Sequence, residues 1–262
     1  MIGNEKSIMT NSEILAVSKI LLESRAFTKA EMNSILDKMI LGCIPIKNMD
    51  LVSDLIANEK YHYVELHHRS HINEKLWELG NEIKQCNLLE IVYQKQVSSK
   101  NTVKRIIQPV VIIFSEYYFY LNAYIVERDG NEKYHKKYDY PVIYRLDRIV
   151  KYKQIGKKFI TPYTERFEEG EFRKRIQFMF AGKLTKLQMK YTGNNIEAIL
   201  DRLPTAKIIS KQDDGWIVEA EVFGKGIVMW LLSQGKNIEI LRPESMRNEM
   251  KDILLEMLKK YE

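Results

Sequence analysis

From residue 117 to 126 apolar and polar positions alternate. Phe119, Leu121, Ala123 and Ile125 share one side of an extended chain, and Tyr118, Tyr120, Asn122 and Tyr124 share the other, the period of two that marks a β-strand. The neighbouring segments carry the same kind of signal, so five short strands are predicted over residues 88–94, 103–114, 117–126, 142–146 and 150–155. Pro109 falls inside the second of these and, lacking an N–H, predicts a bulge or an edge there. Ser115-Glu116 reads as a tight hairpin and Asp129-Gly130-Asn131 as a second turn.

Ahead of the strands the period changes to that of a helix. Thr10-Asn11-Ser12-Glu13 and Thr28-Lys29-Ala30-Glu31 both match the capping box, in which the threonine hydroxyl and the glutamate three residues on satisfy each other's free backbone amides. The first box opens a helix lined by Ile14, Val17, Leu21 and Leu22, and the second one lined by Met32, Ile35, Leu36 and Met39; Gly42 and Pro45 are read as the end of the pair. A further helix is predicted over residues 72–86, with Leu76, Leu79 and Ile83 on one face.

Residues 156–182 read as a connector, because Arg166, Arg173, Lys174 and Arg175 mix with Glu165, Glu168, Glu169 and Glu171. Phe167, Phe172, Phe178 and Phe180 are too many for a free linker, so the segment is expected to dock on a domain, and Arg173 to Arg175 could extend a basic surface. Beyond it, the order is strand 184–191, helix 195–203, strands 207–210 and 216–223, helix 226–233, strand 237–241 and a final helix 244–261. This β-α-β-β-α-β succession is ferredoxin-like with a tail helix added, punctuated by Pro204, Gly235 and Pro243. The predicted organisation is a helical segment 1–86, a small β-barrel 87–155, the connector, and a C-terminal α/β domain 183–262, an α+β chain overall.

Composition narrows the class of function. At 262 residues the chain can build two small domains and a helical segment. A formal charge of +6 suits a polyanionic partner without demonstrating one. Cys43 and Cys86 are the only cysteines, which leaves no disulfide framework and fits a reducing cytoplasm. No run of about 18 apolar residues exists, so neither membrane insertion nor export is indicated.

The chemistry concentrates on the tyrosine row. Rings with hydrogen-bonding tips are a costly way to shed water, and with arginines beside them they suit a nucleotide or single-stranded nucleic acid, the rings stacking on bases and the guanidinium forks holding phosphate. Arg105 precedes the row, and Arg145 and Arg148 follow it. Plain packing explains tyrosines on a half-covered sheet equally well. Asp147 could pair with an arginine and make a structural corner, and Arg145 could be merely solvated at its strand end.

Arg105 to Pro109, the triplet Phe119-Tyr120-Leu121 and the segment Arg145-Leu146-Asp147-Arg148-Ile149 resemble the WYL domain, in which the triplet is Trp-Tyr-Leu. The stretch from residue 11 to 40 is similar to the helical segment that precedes WYL domains in bacterial regulators, and residues 183–261 to their C-terminal extension, WCX. The resemblance implies an Sm-like, SH3-type five-stranded barrel acting as the ligand sensor of a dimeric, cytoplasmic transcription factor, with nucleic-acid-like ligands. Phe119 for Trp removes an indole N–H but keeps a ring that points to the core. Arg105, Tyr118, Tyr120, Tyr124, Arg145 and Arg148 are the expected ligand-binding residues, with Tyr120 foremost. Alanine at Arg145 or Arg148 is expected to weaken binding and leave the melting temperature nearly unchanged, since phosphate contacts add nothing to the unliganded fold.

Such regulators normally begin with a winged helix-turn-helix, whereas this chain enters the helical segment near Thr10. Either a DNA-binding domain has been cut away, which Met1-Ile2-Gly3-Asn4 would fit as a linker, or the protein works without one. No catalytic, cofactor or metal site is expected. His67 and His71 have the i, i+4 spacing of a helical metal pair, but no cysteine is nearby and no glutamate follows the first histidine. Gly224-Lys225-Gly226 is too short for a phosphate loop and reads as a helix start. Three functions stay open: the effector-sensing and dimerisation part of a regulator whose DNA contact lies upstream, a stand-alone nucleic-acid-binding accessory protein that modulates an enzyme, and a structural oligomerisation module.

Overall fold

The computed structural model describes residues 9–68, 70–95, 102–130, 133–160, 167–180 and 182–262. These form two compact units, one of residues 1–122 with 144–159 and one of residues 123–143 with 160–262.

The first unit opens with helices α1 (Asn11–Ser24) and α2 (Lys29–Cys43), each started by the predicted capping box in full. Ile14 and Leu22 of α1 and Met32, Leu36 and Ile40 of α2 are buried. A third helix, α3 (Ile46–Tyr61), adds Val52 and Ile56 to the same core. Sequence patterning missed it because Pro45 reads as a stop, whereas it is the residue that starts the helix, with φ −58° and ψ 140°. Proline fits there because the first amides of a helix have no intrahelical acceptor to lose.

Helix α4 (Asn73–Lys84) then lies against strands β1 (Asn87–Gln94) and β2 (Thr102–Ser115). Strand β3 (Tyr118–Arg128) follows a two-residue turn at 116–117, one residue later than the expected Ser115-Glu116 hairpin, and Glu116 takes the left-handed conformation at φ 55°. Asn131 of the expected second turn lies outside the described residues; Asp129 closes that turn by accepting from the Lys133 N–H at 2.8 Å. Strands β4 (Tyr134–Lys136), β5 (Val142–Arg145) and β6 (Ile149–Lys158) complete the set, β5 and β6 being joined by the 3-10 turn Leu146–Arg148.

The strand order is β4-β3-β2-β1-β6, with β5 paired to β3. This is six strands rather than the expected five, and among the described residues the ladders do not close into a ring. Pro109 lies beyond the last β1 to β2 pair, Leu89 with Ile107, so its missing N–H takes nothing from that ladder.

The second unit contains the C-terminal elements almost where the pattern placed them: β7 (Leu184–Tyr191), α6 (Ile196–Arg202), β8 (Lys207–Gln212), β9 (Gly215–Phe223), α7 (Gly226–Ser233), β10 (Ile238–Arg242) and α8 (Glu244–Leu258). The sheet order is β10-β7-β9-β8. Leu187, Met189, Val218, Val222, Ile227 and Leu231 form its core. Gly226 opens α7 where a Cβ would collide with the Gln177 carbonyl, which explains glycine there. β8, at the end of the order, is exposed at every residue. The connector carries helix α5 (Glu169–Arg175), whose Phe172 is buried with its ring 5.6 Å from that of Phe223. Arg175 donates to Glu221 at 3.1 and 3.0 Å and also to Glu171, which Lys174 pairs with as well, so these two charges are already occupied rather than free basic surface.

Candidate functional site

The site is assembled by the first residues of strand β3, Tyr118 to Asn122, with the 3-10 turn and helix α4, all within the first unit. Leu146 and Ile149 are fully buried. These two anchors pin the turn into the core. The turn is held from α4 as well: Lys75 Nζ donates to the carbonyls of Leu146 and Ile149, at 3.5 and 2.9 Å. Burial holds the Lys75 ammonium below its usual pKa, and the negative charge of Asp147 partly offsets this.

Arg145 lies on the face of Tyr118, its guanidinium carbon 3.5 Å from the ring centroid. The same guanidinium grips Asp147 with two bonds, Nε to Oδ1 at 3.0 Å and Nη2 to Oδ2 at 2.8 Å. Only 3% of the Asp147 side chain and 17% of the Arg145 side chain remain exposed. The aspartate therefore pairs with Arg145, two residues before it, and Arg145 is not a solvated strand end. Burial and the Asp147 charge act on the arginine in opposite directions, and the aspartate prevails, raising its pKa.

Tyr120 stands edge-on to Tyr118, ring centroids 6.2 Å apart. Burial pushes its phenol up to about 12, against the opposing charges of Arg145 and Arg148. Arg148 donates Nη1 to the Lys95 carbonyl at 3.1 Å, while its Nε is buried with no hydrogen-bond partner among the described residues. Four of the six residues singled out from the sequence, Tyr118, Tyr120, Arg145 and Arg148, thus meet at one place.

The other two stand elsewhere. Arg105 is exposed on β2, gives its Nη1 to the Lys104 carbonyl at 3.0 Å, and acts electrostatically on Tyr144. Tyr124 belongs to the second unit, where Lys136 Nζ lies 4.5 Å from its ring centroid. Phe119 is half-buried, with ring centroids 5.8 Å from Phe27 and 5.0 Å from Phe114.

Two participants carry no local sequence signal, Lys75 and His68. The His68 ring centroid is 6.0 Å from that of Tyr118. It belongs to the 67–71 histidine group, which lies in the loop between α3 and α4 rather than on a helix; His71 Nδ1 is 3.5 Å from Glu31. Among the described residues no three His, Cys, Asp or Glu side chains gather to hold a metal ion.

Asn122, two positions beyond Tyr120 on the tyrosine side of β3, is fully buried, and neither end of its amide has a partner among the described residues. An unpaired buried amide is costly, and leucine has nearly its shape, so Asn122→Leu is expected to stabilise the unliganded chain by about 1–3 kcal/mol. A denaturant midpoint that falls instead would show that the amide is held in place.

Residues 185–258 match the family model of the WCX domain. Comparison with curated proteins finds no match. Among solved structures the chain is similar to proteasome accessory factor B/C (PafBC) of Arthrobacter aurescens, with 15% identity and a TM-score of 0.36 over 97% of this chain and 37% of that one. It is also similar to a CRISPR Cas-related protein, with 17% identity and a TM-score of 0.46 over 99% of this chain and 75% of that one. No helix among the described residues is long and apolar enough to cross a membrane.

Proposed function

From the premise that residues 185–258 are a WCX domain, we propose that the chain is the effector-sensing part of a bacterial WYL-type transcriptional regulator. Residues 87–155 form its Sm-like sensor module, and the β-α-β-β-α-β unit with strand order β10-β7-β9-β8 is its ferredoxin-like extension. The protein acts in the cytoplasm as a homodimer, and it contacts DNA through a domain upstream of this sequence. Its effector is a nucleotide or a single-stranded nucleic acid.

The observation that carries this reading is the guanidinium of Arg148, which acts electrostatically on the Tyr120 phenol and keeps a buried Nε–H without an acceptor among the described residues. A fold gains nothing from an unspent buried donor, whereas a phosphate oxygen would satisfy it. The Arg145 to Asp147 pair assigns a different task to Arg145: it holds the Tyr118 ring and the turn, and Arg148 takes the phosphate. Tyr120 provides the stacking surface.

Fluorescence anisotropy with short single-stranded DNA and RNA, duplex DNA and a 5′-phosphorylated dinucleotide tests the reading across a salt titration. Single strands are expected to bind with a logarithmic salt slope of about 0.7 per phosphate contacted. Arg148→Ala is expected to cost about 1.5–3 kcal/mol of that binding and to leave stability within about 0.5 kcal/mol. Absence of binding to every probe would leave a small-molecule sensor or an oligomerisation module instead.

A further inference from the structure

The loop between α3 and α4 places His68 beside the site just described. Its Nδ1 accepts the backbone N–H of Ser70 at 3.0 Å. A ring nitrogen that accepts carries no proton, so the neutral imidazole bears its proton on Nε2. Burial holds the ring below its ordinary pKa, which keeps it neutral; Arg145 and Lys75 act in the same direction and Asp147 against it. Nε2 is itself buried and has no partner among the described residues.

The acceptors around the ring are already engaged. Both oxygens of Asp147 accept from Arg145, at 3.0 and 2.8 Å, and the carbonyls of Leu146 and Ile149 accept from Lys75. Apart from the Asn122 amide, the buried atoms of the site left without a partner among the described residues are two donors, the His68 Nε2–H and the Arg148 Nε–H. A ligand that satisfies both donors must bring acceptor oxygens.

We propose that His68 is a ligand-recognition residue that donates its Nε2–H to an acceptor oxygen of the bound nucleotide, so that the loop joining α3 to α4 forms one wall of the binding site. The proposal rests on the nucleotide reading above and extends it. Occupancy would be felt directly at the helical segment, because the residue that touches the ligand lies six positions after the C-cap of α3, His62, and five before the first residue of α4, Asn73.

The test uses the full chain and two probes, 5′-phosphorylated dithymidine and the same dinucleotide without its 5′ phosphate. His68→Phe keeps a flat ring against Tyr118 and removes the donor; His68→Gln restores an N–H at a similar reach. His68→Phe is expected to weaken the phosphorylated probe about three- to tenfold, the worth of one neutral hydrogen bond, and His68→Gln to recover most of that. In spectra of the chain labelled with 15N-histidine, the His68 Nε2–H resonance should shift when the probe is added. If the effect of His68→Phe disappears with the unphosphorylated probe, the acceptor is the 5′ phosphate; if it persists, the acceptor is a base carbonyl or the internucleotide phosphate. Wild-type affinity in His68→Phe, or an Nε2–H resonance that ignores the probe, overturns the proposal. When Arg148→Ala still weakens binding in that case, the nucleotide reading survives alone. If the wild-type chain binds neither probe, both fall together.

Discussion

Arg145→Ala is expected to destabilise the first unit by about 3–5 kcal/mol, the cost of leaving a buried carboxylate without its partner. The basis is the near-complete burial of the Asp147 side chain, 3% exposed, and the two bonds it accepts from one guanidinium. Asp147→Leu alone should also destabilise, by stranding the arginine on the Tyr118 ring. The pair replaced together, Arg145→Met with Asp147→Leu, should lose less than either single change, because no charge is then left uncompensated. Chemical denaturation of the four proteins measures the coupling. Two singles that each cost under about 1 kcal/mol and simply add would mean that the pair is only a surface ion pair. The sequence alone pointed the other way, to an unchanged melting temperature, since Arg145 at the end of a strand reads as a solvated phosphate binder. Only the burial of Asp147 reverses the expectation.

A second large effect is expected in alkali. Burial raises the phenols of both Tyr120 and Tyr144 to about 12 from the ordinary 10.0. A raised folded-state pKa means that the stability is fully present below the unfolded value and is lost as pH climbs through the folded one. Between about pH 10 and pH 12 the unfolded chain releases these two protons while the folded chain keeps them. The Tyr144 phenol should then account for about 2–3 kcal/mol, and the Tyr120 phenol, part-exposed and screened by solvent, for less. The tyrosinate absorbance band should show these rings titrating late, together with Tyr63, whose phenol burial also raises. Tyr120→Phe and Tyr144→Phe should each remove part of the fall in stability over this range. A fall that is identical in the double Phe variant would locate its cause in other groups.

What was legible in the sequence, and what was not, follows from how local each signal is. The elements of the C-terminal unit emerged within a residue or two at most of their ends, because glycines and prolines mark its turns and its strands alternate cleanly. The exception is α8, which ends at Leu258 rather than at the expected Tyr261. Helix α3 was lost to a single ambiguous residue, since Pro45 serves a start as well as a stop. Tyr118, Tyr120, Arg145 and Arg148 could be grouped because β5, which leads into the turn, pairs with β3. Which arginine Asp147 would take was undecidable from spacing: Arg145 and Arg148 are both within two residues, and the direction of each side chain in a 3-10 turn decides. Lys75 and His68 meet the 3-10 turn from more than seventy residues away along the chain, and nothing in a linear pattern announces such a meeting.

The outermost strand of the second unit sets a condition for handling the protein in solution. β8 lies at the end of its sheet with every residue exposed, Ile208 at 44% and Ile209 at 53%. Backbone groups on the outer side of such a strand are a template on which another chain can lay a strand of its own. Lys207 and Lys211 flank the two isoleucines with like charges, and two copies approaching edge to edge bring those ammonium groups together. Colloidal stability at this edge is therefore electrostatic in origin, and it weakens as salt screens the lysines over about 10 Å or less.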